Sequence, residues 1–349
     1  MTTTRMTSSP RISIIIINYR SVAFTRACLR SIYTHNSEQS VEVIVIDNAT
    51  YDGCGEMVRS EYPQATFIQS TENLGFAGAN NLGISASHGT HLMFLNPDTE
   101  VRAGAIDRLV TALSTQPDAG MTGARLLNSD LSVQTTSITA FPSILNQILG
   151  TEYLRQKFPA AALWGMKALF EDRTEPTPVD AISGACMMAR RDVIEQVKGF
   201  TTDYFMYAED LDLCLKVGNA GWKIYYVPDA VVVHHGGRSS ESRSESNYAD
   251  LMMRESMCQF MQAHRGLWYA RLFRMATILA ASGRLLLLTL LLPMVLLSPR
   301  KAGVLRAWKK WTAILVWGLG VKSWVKRERT AQQKYSLPLS PSESSSGAK

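Results

Sequence analysis

The chain has 349 residues, 46% of them hydrophobic, which is enough for one large domain or two ordinary ones with a sizeable core. Its five cysteines form no CxxC pair and no Cys/His metal spacing, so they indicate reduced, packed residues in a cytosolic compartment. Residues 265–330 hold 13 Lys and Arg against one acid, Glu328. Because the whole chain carries +6 and residues 331–349 add +1, residues 1–264 carry −7. An acidic body with a basic, apolar tail favours a membrane surface over nucleic acid.

The N-terminal part alternates buried strands with helical stretches. Residues 1–11 are rich in Thr and Ser, and we expect a loose terminus rather than a signal peptide. Short apolar runs predict buried strands over Ile12–Ile17, Val41–Ile46, Ala65–Ile68, Leu92–Leu95 and Met121–Leu127. The alternation predicts βαβ units and a mostly parallel sheet flanked by helices, an α/β fold.

Polar side chains follow the ends of three of these strands. Asn18 follows the first strand, Asp47 and Asn48 follow the second, and Asp98 comes just after the fourth, where Pro97 stops strand pairing. Ligands of open α/β sheets bind at the carboxyl ends of the strands. A carboxylate there suits a hard cation, and a hard cation suits a phosphate. The alternative is that these residues only form turns and helix caps.

The glycines between the third and fourth strands are not spaced as in a dinucleotide fingerprint. Gly75 and Gly78 would still let the backbone approach a ligand, with a helix following over Ala77–Ser87. A plain loop and helix cap are the alternative. Further on, Ser183-Gly184-Ala185 is a small-residue segment that could pass close to a ligand, whereas residues 128–178 show little periodicity.

Three acids, Glu209, Asp210 and Asp212, mark the start of a helix. Acids in a first helical turn favour the positive end of the helix dipole, which is one explanation for them. The bulky residues Tyr204–Tyr207 could instead desolvate a carboxylate and raise its pKa, as a general base requires. His234 follows a short strand and precedes two glycines, which suits a metal ligand, although a surface histidine has the same pattern.

Taken in order, these motifs resemble the family 2 glycosyltransferases with the GT-A fold, and most closely their rhamnosyltransferase-like branch. The resemblance covers roughly residues 12–240. It rests on Asn18-Tyr19, Asp47-Asn48, Asn73-Leu74-Gly75-Phe76, Asn96-Pro97-Asp98, Gly184-Ala185, Glu209-Asp210-Leu211-Asp212-Leu213 and His234.

The resemblance implies a role for each matching residue. Asp47 resembles the nucleotide-base or ribose contact, Asp98 the last acid of the D-x-D metal motif, Asp210 the catalytic base, and His234 the histidine that completes the metal site. Asn96 stands where the usual motif has its first Asp, so it would be a polar neighbour of the metal. The other residues are the donor-side Asn18, Asn48, Gly75 and Gly184 and the acceptor-side Glu209 and Asp212.

The function implied is an inverting glycosyltransferase that depends on Mg²⁺ or Mn²⁺. It would move a sugar, rhamnose being a candidate, from a nucleoside-diphosphate sugar to a hydroxyl of a membrane-linked glycan or lipid in cell-surface polysaccharide synthesis. One alternative is a non-catalytic, membrane-attached sugar-nucleotide-binding module, which the adjacent Glu209 and Asp210 disfavour. The other is a nucleotidyltransferase, which the absence of a Gly-rich, Lys/Arg-containing triphosphate loop near Asn18 disfavours.

The expected catalytic domain, residues 12–240, divides into a nucleotide-sugar half, 12–127, and an acceptor half, 128–240. Residues 241–330 form a helical, basic, membrane-associating region. Its apolar run over Met275–Leu297 is interrupted by Arg284 and Pro293, which leaves uninterrupted segments too short to span a bilayer. Five tryptophans interleaved with Lys and Arg favour in-plane or re-entrant helices on the cytoplasmic leaflet. A hairpin of two spans and a buried helix pair are the alternatives, and residues 331–349 are expected to be disordered.

Overall fold

A computed structural model describes residues 12–35, 40–204, 206–236, 248–296 and 301–320. The expected loose N-terminus, 1–11, and disordered tail, 331–349, lie outside the described residues, as do residues 237–247 at the expected boundary between domain and tail.

The described residues form eleven strands and eleven α-helices, with one 3-10 turn at Lys167–Phe170. The strands are β1 Ile12–Asn18, β2 Val41–Asn48, β3 Thr66–Ser70, β4 His91–Leu95, β5 Thr99–Val101, β6 Ala119–Leu127, β7 Ile138–Thr139, β8 Thr177–Val179, β9 Ala181–Ile182, β10 Cys186–Arg190 and β11 Lys223–His234. The helices are α1 Val22–His35, α2 Cys54–Glu61, α3 Gly75–Ala86, α4 Ala105–Thr115, α5 Ile144–Leu149, α6 Glu152–Lys157, α7 Arg191–Gln196, α8 Glu209–Asn219, α9 Tyr248–Arg265, α10 Leu267–Leu296 and α11 Lys301–Gly318.

Nine of the strands form one sheet in the order β3-β2-β1-β4-β10-β6-β11-β5, with β8 paired to β11. The four strands of the nucleotide half, β3-β2-β1-β4, are all parallel, as the alternating pattern predicts. Beyond them the sheet is mixed, because β10 runs antiparallel between β4 and β6. A strand buried on both faces has a continuous apolar pattern that carries no sign of its direction, so the sequence did not reveal β10.

Apolar layers cover both faces of the sheet. In β1, Ile14 and Ile16 pack into the layer formed with α1, α2 and α4, and Ile15 and Ile17 pack into the layer formed with α3 and α8. Burial on both faces explains why β1 is an unbroken β-branched run. The arrangement brings the carboxyl ends of β1, β2 and β4 to one edge of the sheet.

The C-terminal helices α9, α10 and α11 pack on one another, and α10 also lies against α5. Arg284 interrupts the apolar run of the sequence, yet α10 continues through it as one unbroken helix. The Arg284 guanidinium is accommodated by a hydrogen bond from Nη2 to the Ile148 carbonyl (2.9 Å) and by stacking on Trp311. Within the described residues, one stretch, Leu267–Leu290, is long and apolar enough to cross a membrane by length and composition, with a mean hydropathy of 1.4.

One face of α10 is apolar and exposed. Its exposed apolar side chains are Trp268, Leu272, Met275, Leu279, Leu286, Leu287 and Leu290. Most recur at intervals of three, four or seven, so they lie along one side of the helix. The opposite side buries Ala270, Phe273 and Ala281 against the neighbouring helices. The exposed apolar face of α10 therefore lies opposite a side that packs on the rest of the protein.

Candidate functional site

A cavity of about 890 Å³ opens at the carboxyl edge of the sheet and extends to the C-terminal helices. It is lined by eight of the residues expected from the sequence, Asn48, Gly75, Asn96, Asp98, Gly184, Glu209, Asp210 and His234. Asn18, Asp47 and Asp212 are not among the described residues that line it. The structure thus gathers the expected site residues, which span positions 48 to 234, around one space.

Asn18 and Asp47 form a buried polar network beside the cavity. Asp47 Oδ1 accepts hydrogen bonds from Asn18 Nδ2 (2.8 Å) and the Thr50 hydroxyl, while Oδ2 accepts from Gln69 Nε2 (2.6 Å) and from the backbone N–H of Thr50 and Tyr51. Burial acts to raise the pKa of Asp47, and these hydrogen bonds outweigh it, so the pKa lies below its usual value. Asp47 is therefore an ionised carboxylate that fixes the turn after β2.

Asn48 holds the glycine-containing loop before α3. Its Oδ1 accepts the Leu74 N–H (2.7 Å), and its Nδ2 donates to Asn73 Oδ1 (3.0 Å) and to the Gly75 carbonyl (3.2 Å). Gly75 has a φ of 66°, in the left-handed region that favours glycine. Asn48 and Gly75 together therefore set the path of the backbone along one wall of the cavity.

Asp98 and His234 meet across the sheet edge. His234 Nε2 lies 3.3 Å from Asp98 Oδ1 and 3.5 Å from Asn96 Nδ2. His234 Nδ1 lies 2.8 Å from Gln134 Oε1, which can only accept, so Nδ1 carries a ring proton and Nε2 faces Asp98. The His235 N–H also donates to the Asp98 carbonyl (2.9 Å), which ties the end of β11 to this loop.

These residues suit a divalent cation as a partial ligand set. A buried carboxylate and an imidazole nitrogen oriented by a second residue are ligands that Mn²⁺ and Mg²⁺ sites use. Within the described ranges, no group of three or more His, Cys, Asp and Glu side chains could hold a metal ion. A cation here would therefore need further oxygen ligands, and the phosphates of a nucleotide are the obvious source.

The Ser183-Gly184-Ala185 segment connects the Asp98 side of the cavity to the acidic start of α8. The Ala185 carbonyl accepts the Asn96 N–H (2.9 Å), and the Gly184 N–H donates to Asp210 Oδ2 (3.0 Å). A Cβ on Gly184 would lie 3.3 Å from the Asp210 Cβ and 3.4 Å from the Phe76 ring. A small residue at 184 is therefore needed for the two sides to approach this closely.

Glu209, which is buried, and Asp210, which is half-buried, lie next to each other at the cavity wall. Burial raises the pKa of both carboxyl groups, and the neighbouring Asp210 charge raises the pKa of Glu209 further. Asp210 accepts the backbone N–H groups of Gly184 and Leu211. Glu209 Oε2 has no hydrogen-bond partner among the described residues. Glu209 and Asp210 thus have raised pKa values and line the cavity, which makes them candidates for a general base.

Two non-glycine residues in the left-handed region precede this pair. Tyr207 has a φ of 69° and Ala208 a φ of 73°, and both line the cavity. Such conformations cost on the order of 1–3 kcal/mol each and persist where the surrounding structure holds them. The strained turn directs the first residues of α8 into the cavity.

The surroundings of Asp212 differ from those expected for a residue of the acceptor site. It accepts hydrogen bonds from His264 Nε2 (2.6 Å), the Tyr204 hydroxyl (3.1 Å) and the Thr201 hydroxyl (2.5 Å). Two residues along a helix turn a side chain by about 200°, which separates it from Asp210. The structure therefore places Asp212 at the junction between α8 and α9, and we do not include it in the acceptor site.

Sequence reasoning missed several residues that the structure brings to the site. Gln134, which orients His234, lies in the stretch without periodicity. The far end of the cavity is lined from the C-terminal helices by Asp250, Arg254, Arg284, Lys310 and Trp311. Their composition suggested only a membrane surface, because nothing in the spacing of residues along these helices shows which side faces the domain.

The sequence matches two glycosyltransferase families and several known relatives. Residues 13–198 match the family described as Glycosyl transferase family 2, and residues 153–325 match Glycosyl transferase family group 2. The chain is 32% identical over 253 residues to N-acetylglucosaminyl-diphospho-decaprenol L-rhamnosyltransferase of Mycobacterium tuberculosis, covering 68% of this chain and 80% of that protein. Rhamnosyltransferase WbbL of Escherichia coli is 26% identical over 179 residues, 48% of this chain and 63% of that protein.

A solved structure shows the same fold. It is mannosyltransferase PcManGT of Pyrobaculum calidifontis, in complex with GDP-Man and Mn²⁺, which matches with a TM-score of 0.56 at 20% identity over 92% of this chain and 89% of that chain. At that identity the match concerns the fold alone. The predicted GT-A type α/β fold is thereby confirmed.

Proposed function

This chain belongs to glycosyl transferase family 2, and from that premise we propose that it transfers rhamnose from a nucleoside-diphosphate sugar to a lipid-linked glycan acceptor in cell-surface polysaccharide synthesis. The membership makes it a glycosyltransferase and sets aside the nucleotidyltransferase and the non-catalytic module. The choice of rhamnose is supported by the names of the relatives from M. tuberculosis and E. coli, and the choice of a lipid-linked acceptor by the name of the M. tuberculosis relative.

The observation that carries the proposal is the single cavity with two acidic walls. Asp98 and His234 lie on one wall, Glu209 and Asp210 lie on the other, and Gly184 joins them. A transfer reaction needs a place for the departing diphosphate and a base for the incoming hydroxyl at the same reacting centre. This arrangement offers both within one space.

On the donor side, we assign Asp98, His234 and Asn96 as the residues that would hold Mg²⁺ or Mn²⁺. The cation would supply electrostatic stabilisation for the diphosphate that leaves. Asn48 and Gly75 would shape the wall that receives the nucleotide. Asp47 would hold the turn beside it with Asn18, and a ribose hydroxyl could reach its carboxylate by replacing the Gln69 amide.

On the acceptor side, Asp210 is our candidate for the base. It would take the proton of the acceptor hydroxyl while that oxygen attacks the anomeric carbon from the face opposite the leaving diphosphate. One displacement inverts the anomeric centre. Glu209 shares the site, and because burial raises the pKa of both groups, each carboxylate binds a proton more readily than an exposed one does.

We propose that the exposed face of α10 lies in the cytoplasmic leaflet of the cell membrane. The opposite side of α10 packs on α5, α9 and α11 and lines the cavity with Thr277, Ala280 and Arg284, which fits a helix on the membrane surface better than one that leaves the domain. Each Lys or Arg near an anionic surface adds about 1 kcal/mol of attraction. A lipid-linked acceptor would then reach the cavity without leaving the membrane.

A panel of nucleoside-diphosphate sugars, assayed for transfer and hydrolysis with and without Mn²⁺, tests the reaction. We expect a nucleoside-diphosphate rhamnose to be the best donor and chelation to remove its binding. Asp98→Ala should lose metal-dependent donor binding while keeping its melting temperature. Wild-type turnover by this variant, with unchanged metal dependence, would contradict the metal assignment.

Flotation with anionic vesicles tests the membrane face. The double variant Leu279→Asp, Leu286→Asp should lose most vesicle binding, because it places two charges on the exposed face of α10. Leu131→Asp, at an exposed apolar residue outside α10, is the control and should bind as the wild type does. Equal binding of all three proteins would mean that this face does not contact lipid.

A further inference from the structure

The two ends of the cavity carry opposite charge. The end at the sheet edge is lined by the acids Asp98, Glu209 and Asp210. The far end is lined by three cations, Arg254, Arg284 and Lys310, against one acid, Asp250, which pairs with Lys310 (2.7 Å). A single metal–nucleotide complex accounts for the acidic end only. The far end keeps an excess of positive charge that a separate anionic ligand could neutralise.

Two guanidinium groups share one aromatic ring at the cationic end. The Arg284 guanidinium carbon lies 4.3 Å from the centre of the Trp311 ring, and that of Arg254 lies 5.7 Å from it. Burial lowers the pKa of Arg254, Asp250 raises it, and the charge of Arg284 lowers it. Arg254 Nε has no hydrogen-bond partner within the described part of the chain. Two like charges held together with an unused donor constitute a site that an anion would stabilise.

We propose that this cationic end binds the diphosphate of a prenyl-diphosphate-linked acceptor, through Arg254 and Arg284 with Lys310 beside them. Guanidinium groups bind phosphate oxygens in a planar, paired geometry, which suits a diphosphate. The inference rests on the proposed function, because it places the acceptor lipid opposite the donor.

The surroundings favour a lipid-linked diphosphate over a second nucleotide. Met253, Met257 and Ala280 give this end an apolar wall, and α10, which carries Ala280 and Arg284, exposes its leucine-rich face on the other side. A prenyl chain leaving the diphosphate would follow that apolar path into the membrane. The sugar on the diphosphate would extend the other way, toward Glu209 and Asp210.

Calorimetry on the full-length protein in detergent micelles tests the site, with farnesyl diphosphate, farnesol and inorganic diphosphate as probes. We expect wild type to bind farnesyl diphosphate more tightly than either other probe. Arg254→Gln should weaken that binding by about 10-fold or more, since charge-assisted hydrogen bonds are lost, and should leave farnesol unchanged. Arg306→Gln, at an exposed arginine of α11, removes the same charge and should behave as wild type.

Donor binding separates this inference from the proposed function. If Arg254→Gln binds nucleoside-diphosphate rhamnose normally and raises the acceptor KM with little change in kcat, the site is the acceptor diphosphate site. Equal farnesyl diphosphate affinity in wild type and Arg254→Gln would overturn it. An equal loss of binding to phosphatidylglycerol vesicles would also overturn it, by assigning the arginines to membrane phospholipid. Absence of donor binding to the wild type would instead refute the proposed function.

Discussion

The carboxylates at the end of β2 and at the start of α8 are both buried, yet the protein treats their charges in opposite ways. Asp47 is 1% exposed and accepts five hydrogen bonds, which lower its pKa. Glu209 is 6% exposed, one of its oxygens has no partner among the described residues, and burial raises its pKa. The difference teaches that burial alone does not make a carboxylate reactive. The supply of donors decides whether it fixes a loop or retains affinity for a proton.

Removing the basic carboxylate at the start of α8 should have the largest effect on activity. We expect Asp210→Asn to reduce the rate of sugar transfer by roughly 10²–10⁴-fold, because a general base is lost while the shape is kept. Donor binding measured by calorimetry should be unchanged. The exposed neighbour Asp203→Asn is the control. Normal transfer by Asp210→Asn together with an inactive Glu209→Gln would move the base to the residue with the unpartnered oxygen.

A third buried carboxylate, Asp98, depends on an oriented histidine, and that orientation can be removed separately. Gln134→Ala should weaken metal-dependent donor binding by about 10–100-fold, because His234 loses the acceptor that fixes its ring proton. Titration of Mn²⁺ in the presence of the nucleotide measures the effect. Gln64→Ala, at an exposed site, should have none. An unchanged Mn²⁺ affinity in Gln134→Ala would show that His234 needs no such orientation.

Neutralising Asp47 and neutralising Glu209 should affect the stability of the fold differently. Asp47→Asn should lower the free energy of unfolding by about 1–3 kcal/mol, since an amide nitrogen would face donors that now meet an acceptor. Glu209→Gln should leave stability unchanged or raise it, because it removes a carboxyl that has too few donors. Thermal unfolding of the two variants at pH 7 makes the comparison. If Glu209→Gln lost as much stability as Asp47→Asn, the two carboxylates would not differ in the way proposed.

The pH dependence of stability should show the smallest effect, again with opposite signs. Glu209 has a raised pKa in the folded state, so the folded protein holds more protons than the unfolded chain, and this contribution to stability falls as pH rises above the unfolded value. Asp47 has a lowered pKa, so its contribution is lost as pH falls through the folded value. Each carboxyl changes the slope by at most about 1.4 kcal/mol per pH unit. Melting curves of Glu209→Gln should lose the first slope at pH values above the ordinary pKa of 4.5, and those of Asp47→Asn should lose the second slope at pH values below the ordinary pKa of 3.8. An unaltered slope in either variant would contradict its assignment.

The sequence predicted the parts of the site that depend on where a strand ends. The run lengths of β1, β2 and β4 place Asn18, Asp47 and Asp98 at one edge, because parallel strands point their carboxyl ends the same way. The bulky residues beside Glu209 and Asp210 likewise indicated a desolvated carboxylate, one of the two explanations that the sequence left open. In these places the chemistry follows from a local pattern.

The rest depends on contacts between distant segments. The antiparallel direction of β10 is decided by its neighbours β4 and β6, not by its own residues. Asp212 looked equivalent to Asp210 in the sequence, and only the approach of His264, 52 residues away, separates their surroundings. Arg284 suggested a break in an apolar run, but a carbonyl from α5 and a ring from α11 accommodate it. No periodicity within one segment contains that information.

The hydrogen bond from His264 to Asp212 has a practical consequence for producing the protein. Removing the apolar C-terminal helices is the usual way to obtain a soluble fragment of such an enzyme. Here a fragment that ends before His264 would deprive a buried carboxylate of a donor at 2.6 Å, two residues after the proposed base. Its low activity would then report damage to α8 rather than the loss of a membrane anchor. Solubilising substitutions on the exposed face of α10 keep that bond, and they are the better route to a soluble enzyme.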